Sequence, residues 1–228
     1  MSKLKQPVRV ALATLVLAAS TAVFGAEAKK PALDSALEGA SWKPLALQPG
    51  EYFKYELVDY TYQNKKGWIS LEVKAKGEDQ LQVDWKGERE DGQKLSVTTT
   101  EQKRDFVARA IPALVRSGVA TPFIHTVIAL WWDEAGEFKW HMGANRSVVY
   151  GEMMPAAFIL KIEDYCTVAG YKGFKTRAVV GKVTMSESCV SPKLSLPMQV
   201  RANEADNSPR YEAKLVEYRA PAPAKDKQ

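Results

Sequence analysis

Few side chains in this 228-residue sequence could bind a soft metal ion or act as a nucleophile. It contains two histidines and two cysteines. Imidazole and thioether groups select Cu(I) in exported proteins, and such residues occur at His125, His141, Met142, Met153 and Met154. If His141 and Met142 lie on one strand, they project to opposite faces and do not easily share an ion. We therefore expect no metal site.

Enzyme signatures are also missing from the sequence. It contains no G-x-S-x-G, no H-E-x-x-H and no P-loop. Asp133 and Glu134 are typical turn residues, and a carboxylate pair such as Glu72 with Asp84 would lie on the solvated face of neighbouring strands. We expect a protein that is not an enzyme and needs no cofactor.

The two cysteines, Cys166 and Cys189, lie 23 positions apart. In an exported protein such a pair most simply forms one disulfide. Closing a loop of this size stabilises a fold by about 3 kcal/mol. The alternative, a redox pair, usually has closer spacing near a helix start. We predict a structural Cys166–Cys189 disulfide.

The N-terminus has the pattern of a secretory signal peptide. Lys3, Lys5 and Arg9 precede an apolar run over 10–24, and an A-x-A site follows at 26–28. The run is shorter than the roughly 20 residues of a spanning helix. We predict a signal peptide over 1–28, cleaved after position 28 or, as second choice, after position 26; the alternative is an uncleaved anchor helix. The mature chain would then be periplasmic.

The charge pattern argues against a nucleic-acid partner. The whole chain carries a formal net charge of +5, and removing residues 1–28 leaves +3. Basic and acidic residues are interleaved, as over 86–91, so no patch of one sign is expected. The apolar stretch 111–132 is interrupted by Pro112, Arg116 and other polar residues, so we expect no transmembrane segment in the mature chain.

Alternating apolar and polar residues begin at Gly50 and predict a β meander. The segments 53–57, 69–75, 81–85 and 95–99 each have the two-residue period of a half-buried strand. Turn residues separate them. Antiparallel hairpins of this kind have one apolar face and one solvated face.

The alternation stops after this meander, and apolar residues recur at spacings of three and four between Thr100 and Gly118. This spacing predicts a helix. Thr99 with Gln102 matches a capping box, Pro112 predicts a bend, and Gly118 is a typical helix end. A helix in an otherwise β chain must cover one end or the concave face of the sheet.

Further strands are predicted downstream of that helix. They cover 123–132, 138–142, 157–168, 174–180, 183–189, 196–201 and 211–219, with a looser stretch over 143–155. The predicted fold is mainly β: a curved, open antiparallel sheet, or half-barrel, of about ten strands with a covering helical segment. The single domain spans 50–219, after a lead-in over 29–49 and before a flexible tail over 220–228.

The C-terminal half resembles a known strand series. The turn Gly170–Tyr171 precedes a strand, Ser191–Pro192 leads to Leu196–Pro197–Met198, and a last strand starts at Tyr211. This order is similar to that of the lipoprotein-carrier-like (LolA/LolB-like) superfamily of exported half-barrels. The resemblance implies a helical plug and an apolar concave surface that holds acyl chains.

These observations favour an exported binding or carrier protein for a lipid, a lipidated protein or another apolar ligand. The alternative is an envelope structural or interaction module that binds a protein partner by a sheet edge or by the exposed member of the doublet Trp131–Trp132. The expected concave, ligand-binding residues are Phe53, Tyr55, Leu71, Leu81, Val83, Phe106 and Trp131.

Overall fold

The computed structural model describes residues 33–42, 46–77, 79–102, 112, 114–124, 138–149 and 157–221. Backbone contacts divide the chain into Met1–Lys30 and Pro31–Gln228, and the described residues all belong to the second unit. The predicted signal peptide lies outside the described residues, as does most of the predicted tail.

Twelve strands are found within the described residues. They are β1 (Ser41–Trp42), β2 (Tyr52–Asp59), β3 (Lys65–Ala75), β4 (Gln80–Arg89), β5 (Lys94–Gln102), β6 (Phe138–Lys139), β7 (Asn145–Val149), β8 (Ala157–Val168), β9 (Tyr171–Val180), β10 (Val183–Val190), β11 (Gln199–Asn203) and β12 (Pro209–Arg219).

Ten of these strands form one antiparallel sheet in the order β5-β4-β3-β2-β12-β11-β10-β9-β8-β7, and β1 pairs with β6 separately. The strands at the two ends, β5 and β7, do not pair with each other in this order, so the sheet is open. The prediction of a mainly β fold built on an open antiparallel sheet of about ten strands is confirmed.

The inner face of the sheet follows from the alternation in the sequence. Phe53 of β2 lies opposite Leu71 of β3, which lies opposite Trp85 of β4. All three are buried, whereas the intervening residues Glu72 and Lys86 are exposed. The predicted assignment of apolar residues to one face therefore holds across this part of the sheet.

Two apolar clusters fill the interior. The first cluster combines the inner face of β2–β5 with residues 114–124 and the loop between β10 and β11. The second cluster combines β8–β11 with residues from 37–42 and Trp140. The sheet is thus covered by different segments of the chain over its two halves.

The predicted helix over 100–118 is partly wrong. Residues 100–102 belong to β5, whose pairing with β4 continues to Gln102 opposite Gln80. Thr99 and Gln102 are therefore strand residues and form no capping box, because the ladder already uses this backbone. Residues 103–111 and 113 lie outside the described residues. Helical turns occur at 112, 114–115 and 121–124, and Gly118 has a φ of 67°, which suits a glycine that ends a helical turn.

Three strand predictions also need correction. Residues 123 and 124 are helical instead of extended, since the Ile124 amide donates to the Ala120 carbonyl at 2.9 Å; residues 125–132 lie outside the described residues. The looser stretch contains β7, which lacks a clear alternation. Finally, β11 begins at Gln199 and not at position 196 as predicted. Leu194, Leu196 and Met198 lie in the preceding loop, where their side chains are buried.

Candidate ligand-binding face

Five of the seven predicted ligand-contacting residues come together in the structure. Phe53, Tyr55, Leu71, Leu81 and Val83 lie on the inner face of β2–β4, and their exposed fractions are 0–2%. They form a continuous apolar surface, which we call the ligand face. The other two predicted residues, at positions 106 and 131, lie outside the described residues.

A short segment at residues 114–124, which we call the cover segment, packs on the ligand face. The ring of Phe123 lies 5.2 Å from that of Tyr55 and 5.9 Å from that of Trp85, centroid to centroid. Leu114 and Ile124 are buried in the same cluster. The contacts of the cover segment with the sheet are therefore largely apolar and non-directional.

Side chains at the β4–β5 turn hold one edge of the cover segment, residues 117–118, which we call the rim. The Gln93 side-chain amide donates a 2.6 Å hydrogen bond to the Ser117 carbonyl, and the Arg89 guanidinium donates a longer one of 3.4 Å to the Gly118 carbonyl. Gly87 permits close packing here, because a Cβ at this position would lie 3.0 Å from Val119 Cγ1 and 2.8 Å from a backbone oxygen. The rim is the polar edge of an otherwise apolar junction.

A small crevice with a cavity volume of about 10 Å³, roughly the space that one water molecule needs, lies where the cover segment meets β2 and β3. Its apolar wall includes Leu57, Val119 and Pro122, and charged residues such as Lys66 and Arg89 also line it.

A buried carboxylate fixes the other end of the ligand face. Glu51, 3% exposed, accepts hydrogen bonds from the Gln48 amide at 2.7 Å, from the Ser195 hydroxyl at 2.9 Å and from the Tyr218 hydroxyl at 3.1 Å. Burial, and then the charge of Glu51, raise the pKa of Tyr218. Sequence reasoning missed this site, because its groups are brought together from positions up to 167 residues apart.

The hydroxyl of Tyr55 is also held in place. It donates a 2.8 Å hydrogen bond to the Pro197 carbonyl. Burial, with a contribution from Glu51, raises the pKa of Tyr55 well above its ordinary value. The hydroxyl therefore stays protonated at physiological pH, and the ring rather than the hydroxyl is the part of Tyr55 that faces the cover segment.

The predicted disulfide between Cys166 and Cys189 is present. It joins β8 to β10, the two strands on either side of β9. Alternate strands of a flat sheet lie about 9.5 Å apart, whereas the two Cα atoms are 6.1 Å apart. The sheet bends here, and Gly173 of β9 makes this possible, because a Cβ at this position would overlap the Val190 carbonyl and lie 2.7 Å from Met198 Cε.

Of the residues considered for metal binding, His141 and Met142 lie within the described part of the chain. His141 lies 3.5 Å from Glu38 and is largely exposed; residues 125, 153 and 154 are outside the described residues. The described part of the chain has no group of three metal-ligating side chains. Among these same residues we find no helix with the length and hydropathy that a bilayer crossing requires.

Comparison with known proteins gives only distant likenesses. No protein-family model matches the chain, and no curated protein matches it. A crystal structure of MucB is 14% identical, with a TM-score of 0.42 over 78% of this chain and 56% of that one. The MucA/MucB complex of Pseudomonas aeruginosa is 13% identical, with a TM-score of 0.40 over 77% of this chain and 53% of that one.

A Bacteroides fragilis structure described as having a YmcC-like fold is 8% identical, with a TM-score of 0.30 over 79% of this chain and 100% of that one. This chain spans about half the length of the MucB structures that it matches.

Proposed function

We propose that this chain is an exported carrier that holds an apolar ligand, either a lipid or the acyl chain of a lipidated protein, against the ligand face. The observation that carries the proposal is the contact of Phe123 with Tyr55 and Trp85. A segment held mainly by apolar contacts is one that an apolar ligand can replace.

The energetics favour such an exchange. Burying each methylene group contributes about 0.8 kcal/mol, so a long acyl chain offers as much apolar burial as the side chains of the cover segment. An acyl chain packed on Phe53, Leu71 and Val83 would keep those side chains as inaccessible to solvent as they are now. The cover segment then needs to shift rather than unfold. It would turn about its rim, where the hydrogen bonds of Gln93 and Arg89 hold it.

Export is supported by two features of the chain. The charged and apolar pattern over 1–28 is that of a signal peptide, and the Cys166–Cys189 disulfide suits an oxidising compartment. We therefore place the mature chain in the periplasm, where a lipid in transit between membranes needs a protein that keeps it from water.

A second candidate function is an interaction module for an envelope protein. It is supported by β5 and β7, the two end strands of the sheet within the described residues, since an end strand can accept an added strand. Cross-linking in cells distinguishes the two functions: a carrier is recovered with lipid and several lipoproteins, whereas a module is recovered with one partner.

Titration of the mature chain with 11-(dansylamino)undecanoic acid tests the carrier proposal. We expect a saturable rise in dansyl emission. Phe123→Ala, which loosens the cover segment, should speed probe entry, whereas Val115→Ala should not, because Val115 is 50% exposed on the same segment. The absence of saturable binding to the wild-type chain would overturn the proposal.

A further inference from the structure

The inner face of β8–β11 carries an apolar surface separate from the ligand face. β8 contributes Leu160 and Ile162, and β9 contributes Phe174 and Ala178. Trp140 stacks on Phe174 with 5.7 Å between ring centroids. This half of the sheet therefore has its own continuous apolar surface.

Residues 34–42, which we call the strap, lie on that surface. Leu37 and Trp42 are buried against it, with exposed fractions of 5% and 3%. The Trp42 ring lies 5.5 Å from that of Trp140, and the Trp42 indole donates a 2.6 Å hydrogen bond to the Leu194 carbonyl. The surface thus already accepts two large apolar groups from a peripheral segment of the chain.

Polar contacts hold the strap at its rim. Glu38 accepts a 2.6 Å hydrogen bond from the Tyr165 hydroxyl and a 3.1 Å bond from the Met142 amide. Asp34 forms an ion pair of 3.0 Å with Lys172, whose side chain is 70% exposed. The exposed ion pair of Asp34 with Lys172 is readily exchanged for water. Both carboxylates, Asp34 and Glu38, belong to the strap and move into solvent with it, so its detachment leaves no buried charge unpaired.

Thr176 contributes an unused hydrogen-bonding group to the same surface. Its side chain lies between Phe174 and Ala178 on one face of β9, opposite Ile162 on one side and Ser188 on the other. It is 1% exposed, and within the described part of the chain its Oγ1 has no hydrogen-bond partner. A buried hydroxyl without a partner destabilises a fold. This cost indicates that the hydroxyl of Thr176 forms its hydrogen bond with a bound ligand.

We propose that this surface is a second binding site, for a single acyl chain that ends in a carbonyl or carboxylate group. The acyl chain takes the place of Leu37 and Trp42 as the strap detaches, and its oxygen accepts a hydrogen bond from Thr176 Oγ1. This site uses other residues than the ligand face and does not depend on the function proposed for that face.

Stearic acid brominated at C9 and C10, which quenches tryptophan at contact, tests this site on the full chain. We expect saturable quenching that is largely retained in Trp85→Phe, on the ligand face, and largely lost in Trp140→Phe. Loss in Trp85→Phe with retention in Trp140→Phe would overturn the second site and leave the ligand face as the binding site. The absence of any quenching would overturn both.

A covalent lock of the strap gives an independent test. Ser41 and Lys139 are direct neighbours across the β1–β6 pair, so Ser41→Cys with Lys139→Cys can form a disulfide that keeps the strap in place. We expect the oxidised double variant to bind the brominated acid at least about tenfold more weakly than Ser41→Ala/Lys139→Ala. Equal affinity of the two would show that the strap does not move for the ligand.

Thr176→Val tests the polar anchor, because it keeps the shape and removes the hydroxyl. We expect about three- to tenfold weaker binding of the brominated acid, the loss of one hydrogen bond, together with a higher Tm of the unliganded protein. A purely structural hydroxyl would leave the affinity unchanged, and that result would overturn the anchor.

Discussion

The hydroxyl of Ser195 donates a 2.9 Å hydrogen bond to the carboxylate of Glu51, a residue 144 positions earlier in the chain. Both residues are buried. The bond joins the residue before β2 to the loop between β10 and β11, and so links segments that lie on the two sides of β12 in the sheet. It is therefore a long-range contact that closes one end of the first apolar cluster.

Glu51→Ala should destabilise the fold by about 3 kcal/mol, because it leaves the hydroxyls of Ser195 and Tyr218 without their acceptor. Urea unfolding measures this free energy. Glu56→Ala, at an exposed position of the same strand, is the matched control and should change stability by less than about 0.5 kcal/mol. Equal effects of the two variants would contradict the role of the buried carboxylate.

Removing the disulfide by Cys166→Ala with Cys189→Ala should lower the free energy of unfolding by about 3 kcal/mol, since the bridge closes a loop between residues 23 positions apart. The urea midpoint of the double variant against wild type gives this value. Thiol titration of the wild-type chain without reductant should find no free thiol; two free thiols would contradict the bridge.

Gly173→Ala should be among the most damaging small substitutions. The added methyl would overlap the Val190 carbonyl and lie close to Met198 Cε, and such overpacking costs about 1–3 kcal/mol. The shift of Tm reports this cost. Lys175→Ala, exposed on the same strand, should leave Tm almost unchanged, and an equal shift in the two variants would show that the bend at Gly173 tolerates a side chain.

Asp84 should make stability depend on pH in the acid range. Hydrogen bonds from Lys74 above all, and also from Thr98 and Gln82, lower the pKa of Asp84 from 3.8 to about 2. A carboxylate with a lowered pKa in the folded state stabilises the fold above its unfolded pKa, and this contribution is lost as the pH falls through the folded value.

Asp84→Asn should therefore be less stable than wild type above about pH 4, and the difference should vanish towards about pH 2. Chemical unfolding at a series of pH values measures it. Asp79→Asn, an exposed position with the same change of charge, is the matched control. A wild-type advantage that stays constant down to pH 2 would contradict the assignment.

The sheet was predictable where one face is buried and the other solvated. The alternation in β2, β3 and β4 identified Phe53, Leu71 and Val83 as inner residues, because a two-residue period leaves only two possible faces. The bounds of β8, residues 157–168, also match the prediction.

Prediction failed where tertiary pairing outweighed local pattern. Threonines 98–100 extend β5 along β4, so the predicted helix could not start there. Phe123 was assigned to a strand, although Ala120, Phe123 and Ile124 have the three- and four-residue spacing of a helical turn. The strap contacts were not predictable, because Glu38 and Tyr165 are 127 positions apart and neither has a local motif.

The most direct test of the carrier function is lipid extraction and mass spectrometry of the mature chain, purified without detergent from the cell envelope. We expect an acyl-bearing molecule that co-purifies with the protein and is displaced by 11-(dansylamino)undecanoic acid. A protein that carries no acyl species and does not bind the dansyl probe would contradict the carrier function.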